Sequence, residues 1–249
     1  MSSWAKSTNH ASGVDVYSRP LGNTELGFYW DHIFNGTATT IQYVKIHALD
    51  RSIVDVQNIA DAWLRLKARY PLIGCRTVER ETPEGVYLIL DEDELRSIRE
   101  GELVVRDVMD EREVDELKEQ LLNGPPMDIS RFTSQIWTLR GSKDSGILYI
   151  FLVAAHLITD GMGNASFIRE FCQELCTAGK RTPPSSLSHR LENILSLEAL
   201  YPELARTVAH KRWRWAISKV LMQIQQGKLK VSYDFSTTYS IPLLQQYYL

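Results

Sequence analysis

Residues 147–161 read ILYIFLVAAHLITDG, and the fold turns on how this stretch is interpreted. Ile147 to Ala155 is a nine-residue run with no polar group except the Tyr149 hydroxyl. It is short for a buried helix and rich in β-branched and aromatic side chains. It therefore predicts a strand covered on both faces, near the centre of a sheet. His156 leaves the end of that strand, where a rigid sheet presents a side chain to a cleft. Neutral imidazole can accept a proton from an alcohol, thiol or amine near neutral pH. Asp160 follows four residues later, just ahead of a helical period. It can cap that helix or take a salt bridge that fixes the loop. Gly161 permits a tight or positive-φ turn there. On spacing alone, a lone histidine at a strand end is more often a satisfied structural residue than a base.

Working outward, Gly163 to Ala178 turns helical, with Phe167, Phe171 and Leu175 on one face. Upstream, Phe132 to Arg140 reads as a strand with mixed faces, and Thr39 to His47 as a β-branched strand. Between them, Val56, Ile59, Ala60, Trp63 and Leu64 recur at helical spacing. Ser52 with Asp55 resembles a capping box at the start, and Pro71 ends the helix near Arg69. Val86 to Leu90 and Leu103 to Val108 are short strands. Val114, Leu117, Leu121 and Leu122 mark an amphipathic helix stopped by Gly124-Pro125-Pro126. Residues 1–18 are small and polar and predict a flexible N-terminus. Arg181 to Ser188 has linker composition. Residues 190–226 predict helix with a break at Pro202, and the last 20 residues look strand-like.

The 249-residue chain is 44% hydrophobic and 24% charged, enough to bury a sizeable core. Its net charge of −3 argues against a nucleic-acid binder. No apolar run approaches the roughly 20 residues of a membrane span, and the first 25 residues lack the apolar stretch of a secretory signal. Three cysteines do not make a disulfide framework. The expectation is a cytoplasmic protein with no membrane and no nucleic-acid partner. Residues 79–119 hold 16 of the 31 acids and predict a solvated face. Residues 206–230 hold seven Lys/Arg and no acid. Interleaved with Trp213 and Trp215, they suit an amphipathic crossover helix with Trp213, Ala216, Val220 and Ile224 facing the core or a partner. A membrane or phosphate-binding surface is the other reading. His156 with Asp160, or Cys172 with Cys176, could pair on a metal at helical spacing. The strand-like run before His156 argues against a helix there and no third ligand is near that pair, the cysteines read better as buried small residues, and no metal is expected.

The segment FLVAAHLITDGMGNASFIREF, residues 151–171, resembles the active-site region of the chloramphenicol-acetyltransferase-like superfamily. That group includes BAHD acyltransferases, fungal alcohol acyltransferases and peptide-synthetase condensation domains, whose motif is HxxxDG. The resemblance runs through much of residues 19–178. Asp61 to Cys75 is similar to the first-helix signature, and Gly124 to Leu139 to the segment before the motif strand. It implies an α/β fold, a mixed and mostly antiparallel sheet flanked by helices, forming one half of the usual two-domain architecture. It implies acyl transfer from a thioester, acyl-CoA or carrier-bound, to an alcohol or amine, with no permanently bound cofactor. It assigns His156 as general base, Asp160 as a salt-bridged structural acid and Gly161 as the glycine past which the donor runs. Ala155 replaces the first histidine of the double-His form.

The organisation implied is a flexible 1–18, a chloramphenicol-acetyltransferase-like N-terminal domain at 19–180, a linker and helical crossover at 181–230, and an incomplete second half at 231–249. The family's second motif is absent, since Asp234-Phe235 is followed by Ser236-Thr237. Two functions follow. One is an acyltransferase, whose tunnel is completed by self-association or by a missing C-terminal half. The other is a catalytically inactive partial domain acting only in binding or assembly.

Overall fold

The computed structural model describes residues 4–8, 13–81, 85–141, 146–177 and 186–194, with Trp213, Ala216, Ile217 and Val220 in addition. The chain divides into two compact units, 1–200 and 201–249. In the first unit the strands are β1 (Ala5–Thr8), β2 (Asp15–Pro20), β3 (Thr39–His47), β4 (Arg76–Glu79), β5 (Val86–Asp91), β6 (Leu103–Asp107), β7 (Ser134–Arg140) and β8 (Ile147–Ala155). The helices are α1 (Asn23–Asn35), α2 (Val56–Arg69), α3 (Glu92–Arg96), α4 (Glu111–Asn123), α5 (Gly161–Cys176) and α6 (Leu187–Glu192).

The strands form two four-stranded sheets, ordered β1-β2-β5-β4 and β3-β8-β7-β6. Every pairing is antiparallel except β6 with β7, which is parallel. This is the mixed, mostly antiparallel α/β architecture that the sequence predicts, but split into two sheets. β8 has a strand on each side, and all its residues after Ile147 are buried. Its alternating side chains serve two clusters. Leu148, Ile150 and Leu152 join the main core with Ile59, Trp63 and Phe171 of α2 and α5. Tyr149 and Phe151 pack with Val114 and Leu117 of α4 on the other face.

Several local expectations change. α2 is capped by Asp55, whose side chain accepts from Gln57 N at 2.9 Å. Ser52 is instead a recipient, its N–H donating to Asp50 at the head of a 3₁₀ turn. The first 18 residues are not wholly irregular. β1 and β2 pair with each other, and β2 pairs with β5 from Val16 to Pro20, placing Tyr17 and Arg19 among the buried residues. The unit also runs past residue 180, because Leu187 and Leu191 of α6 are buried in its core. Most of the acidic block is solvated, but Glu102 is fully buried against Lys67. Cys172 is half-buried and Cys176 exposed, while Cys75 is the buried one.

In the second unit the four described residues are helical. Trp213 and Val220 are exposed there and do not face a core. Ile224, the break at Pro202 and the C-terminal strand-like stretch lie outside the described residues.

Candidate active site

β8 and its neighbours set His156 in place. The His156 N–H donates to the carbonyl of Ala38 at 2.8 Å, extending the β3–β8 ladder by one bond. Ala38 holds φ 59°, a left-handed conformation that costs an alanine roughly 1–2 kcal/mol. Nδ1 of the imidazole lies 2.8 Å from the carbonyl oxygen of Thr159. A carbonyl can only accept, so Nδ1 carries a hydrogen, and in the neutral ring Nε2 keeps its lone pair. The ring face is covered by Phe28, stacked with centroids 4.1 Å apart and planes 8° from parallel.

Phe28 belongs to α1, whose start is clamped by a buried ion pair. Arg19 Nη1 and Nη2 donate to the two Glu25 oxygens at 2.7 and 2.6 Å. Gly22 N–H also donates to Glu25 at 2.7 Å. Both side chains are nearly inaccessible. A two-pronged, water-excluded pair fixes orientation as well as position, and Phe28 lies one turn further along the helix.

Asp160 is the N-cap of α5, its Oδ1 accepting from Gly163 N at 2.7 Å. The side chain makes no salt bridge among the described residues, so of the two roles open to it the structure shows the cap. Gly161 occupies the first helical position, and its φ is not positive. The glycine that sterics require is Gly163. A Cβ there would sit 2.3 Å from Thr159 Oγ1 and 3.3 Å from Asp160 Oδ1. Asn164 adds a further tie. It is buried, its Nδ2 donates to Thr40 Oγ1 at 2.7 Å, and that hydroxyl donates to Ala154 O at 2.9 Å. The first turn of α5 is thus bonded to both strands beside His156.

A cavity of about 300 Å³ opens at this point. Its apolar wall is Phe28, Leu72, Leu157, Ile158 and Phe167. Its polar groups are His156, Glu25, Thr159, Asp160 and Gly163. A larger cavity of about 540 Å³ lies near the end of α4 and contains no histidine. His32, which is buried where His156 is half-buried, has both ring nitrogens engaged, with Met127 O at 2.7 Å and Thr39 Oγ1 at 3.3 Å. His156 differs from it in having, among the described residues, one nitrogen without a hydrogen-bond partner, in a side chain that lines a cavity.

The architecture matches that of known structures. The starter condensation domain of the rhizomide synthetase RzmA superposes with a TM-score of 0.54 and 11% identity, over 70% of this chain and 44% of its own. The condensation domain of the Monacolin K polyketide synthase MokA superposes with a TM-score of 0.52 and 12% identity, over 91% of this chain and 45% of its own. The fold is that of part of a condensation domain. The chain spans less than half the length of the solved condensation domains that it resembles. No protein-family profile and no curated protein sequence matches it. The condensation-domain fold here consists of the two sheets, with His156, Asp160 and Gly161 together at the end of β8. Phe28, Ala38, Gly163, Asn164, Arg19 and Glu25 escaped the sequence reading. Gly22-x-x-Glu25 ahead of Phe28, and Gly36 just past Asn35, were readable signals for α1.

Proposed function

We propose that the chain contributes the base-bearing half of an acyltransferase acting on a thioester donor, acyl-CoA or a carrier-bound acyl group. The observation that carries this reading is the geometry of His156, with Nδ1 2.8 Å from Thr159 O in a side chain that lines a cavity. Nε2 takes the proton from the hydroxyl or amine of the acceptor as that atom attacks the thioester carbonyl. The C–S bond breaks and Nε2–H returns the proton to the leaving thiolate. No covalent acyl-enzyme and no resident cofactor are needed, because one base between two substrates completes the proton balance. Asp160 and Gly163 hold the turn that carries Thr159 O and stay away from the proton in flight.

Assay of thiol release from acyl-CoA in the presence of an alcohol tests this reading. His156→Ala should lower the rate about 10²–10⁴-fold, the usual contribution of a positioned general base. An unchanged rate refutes the assignment.

One observation favours a second reading, in which the chain alone is an inactive partial domain. Its span is under half of the solved condensation domains, and Phe34 and Met162 are 75% and 78% exposed. Met162 belongs to the first turn of α5, close to His156. A second copy or a separate second half would then supply the missing wall. Sedimentation across a concentration series, with and without acyl-CoA, separates the two. A stable monomer without thiol release supports the inactive domain.

A further inference from the structure

The reading of His156 as base leaves open which substrate lies in the cavity beside it, and of what kind. A general base must come within hydrogen-bond reach of the proton that it removes, roughly 2.6–3.2 Å between heavy atoms. The cavity lined by His156 is therefore the place of the acceptor. Its chemistry is one-sided. Five apolar side chains, Phe28, Leu72, Leu157, Ile158 and Phe167, form the wall. Among the described residues no lysine or arginine lines it.

The two carboxylates that do line it are already engaged. Glu25 is held by Arg19 and Gly22 N–H, and Asp160 by Gly163 N–H. The Arg19 guanidinium is itself buried and is not part of the wall. A carboxylate brought into this space would lose its hydration, face two like charges and find no cation. An alkyl chain would bury its surface against the five apolar residues, each methylene adding about fourfold in affinity at full burial.

We propose, resting on the base assignment of His156, that this cavity binds an aliphatic alcohol without charged groups as the acceptor and rejects an acceptor that carries a carboxylate. The experiment is a titration of the full chain with 1-butanol, 1-octanol and 8-hydroxyoctanoate at pH 7, followed through the imidazole resonances of His156. The expected result is an octanol affinity on the order of a hundredfold above that of butanol, four methylenes shorter. 8-Hydroxyoctanoate should bind at least tenfold more weakly than octanol. Leu72→Lys, which places an ammonium in the wall, should narrow that gap by tenfold or more.

Equal affinity for octanol and 8-hydroxyoctanoate in the unaltered chain overturns the proposal. So does the absence of chain-length dependence, or of any His156 perturbation by the three alcohols. Because the unaltered chain supplies these comparisons, the outcome does not depend on how well Leu72→Lys folds. Binding is read without turnover, so the two readings fail separately. The expected selectivity with no thiol release removes the transferase reading alone, whereas thiol release that is indifferent to acceptor charge removes this one alone.

Discussion

Lys67 and His156 are set against the same core, and they differ in what their nitrogens touch. Lys67 Nζ is fully buried, donates to Glu94 O at 2.6 Å and Ser97 O at 2.7 Å, and pairs with Glu102 Oε1 at 2.7 Å. Glu102 also receives Trp63 Nε1 at 3.2 Å, Arg99 N at 2.9 Å and Arg99 Nε at 3.1 Å. Three ammonium protons meet three acceptors, and both carboxylate oxygens are occupied. Burial pulls the Lys67 amine below its ordinary value, with Glu102 opposing. His156 has one nitrogen bonded and the other without a partner among the described residues, in a side chain that lines a cavity. A closed network of this kind joins α2, the end of β6's approach and the turn after α3, and has no capacity left for a substrate. The two side chains differ in that His156 has an atom without a bond among the described residues and lines a cavity.

The contrast can be broken by opening the closed network. Lys67→Met leaves Glu102 buried with only Arg99 as a cationic partner. It should cost about 3–5 kcal/mol in denaturant unfolding, the usual penalty for an uncompensated buried charge. The double variant Lys67→Met/Glu102→Gln should lose less than that single change. A loss under about 1 kcal/mol from Lys67→Met would mean that water already reaches the pair.

Gly163→Ala tests the turn that holds the base. Its Cβ would press on Thr159 Oγ1, at a cost of about 1–3 kcal/mol. Because Thr159 O carries the Nδ1 bond, transferase activity should fall together with thermal stability. Asp160→Ala removes the cap of α5 and should cost about 0.5–2 kcal/mol. A variant that is fully stable and yet inactive would instead place Asp160 in the chemistry.

The cysteines repeat the comparison of closed and open groups on a smaller scale. Burial pushes the Cys75 thiol up to about 12 and the Cys172 thiol up to about 11, while Cys176 is exposed. For Cys75 the thiol stays protonated in the folded chain after the unfolded chain has begun to ionise near pH 9. Its contribution to stability is therefore complete below pH 9 and is lost as pH rises towards 12. The loss is about 1 kcal/mol by pH 10. Cys75→Ala should flatten that alkaline slope in pH-dependent unfolding. A slope unchanged by the substitution would show that other groups produce it.

The motif strand was legible because its pattern is extreme. Nine apolar residues leave little choice but a buried strand, and Ile147–Ala155 emerges with those bounds. α2 and α5 were legible from their 3.6-residue periods, and Phe167, Phe171 and Leu175 are all buried. α1 was missed because Gly27 interrupts it and because its apolar side chains are divided between the core and solvent. Tyr29 is buried while Ile33 and Phe34 are exposed. β2 was missed because Asp15, Ser18, Arg19 and Pro20 read as polar loop, and only pairing with β1 and β5 makes them a strand. The acidic block hid Glu102 for the same reason. Its partner Lys67 is 35 residues away in sequence, and nothing local distinguishes it from its solvated neighbours.

The class of fold was implied by the resemblance of residues 151–171 to a known superfamily, and the sequence by itself determined the strand that ends in His156 and the helix that Asp160 caps. These depend on periodicity and on bonds that span two or three residues, and such interactions are written locally. Only the tertiary structure decided that Gly163 is the crowded glycine, that Phe28 lies on the imidazole and that Arg19 with Glu25 anchors α1. It also decided which nitrogen of His156 is left open. The Phe28–His156 stack joins segments 128 residues apart in the sequence, whereas the Gly163, His156 and Arg19 contacts are short in sequence but need the backbone course that the folded core imposes. The free energy of such contacts comes from excluding water between surfaces that meet only after folding.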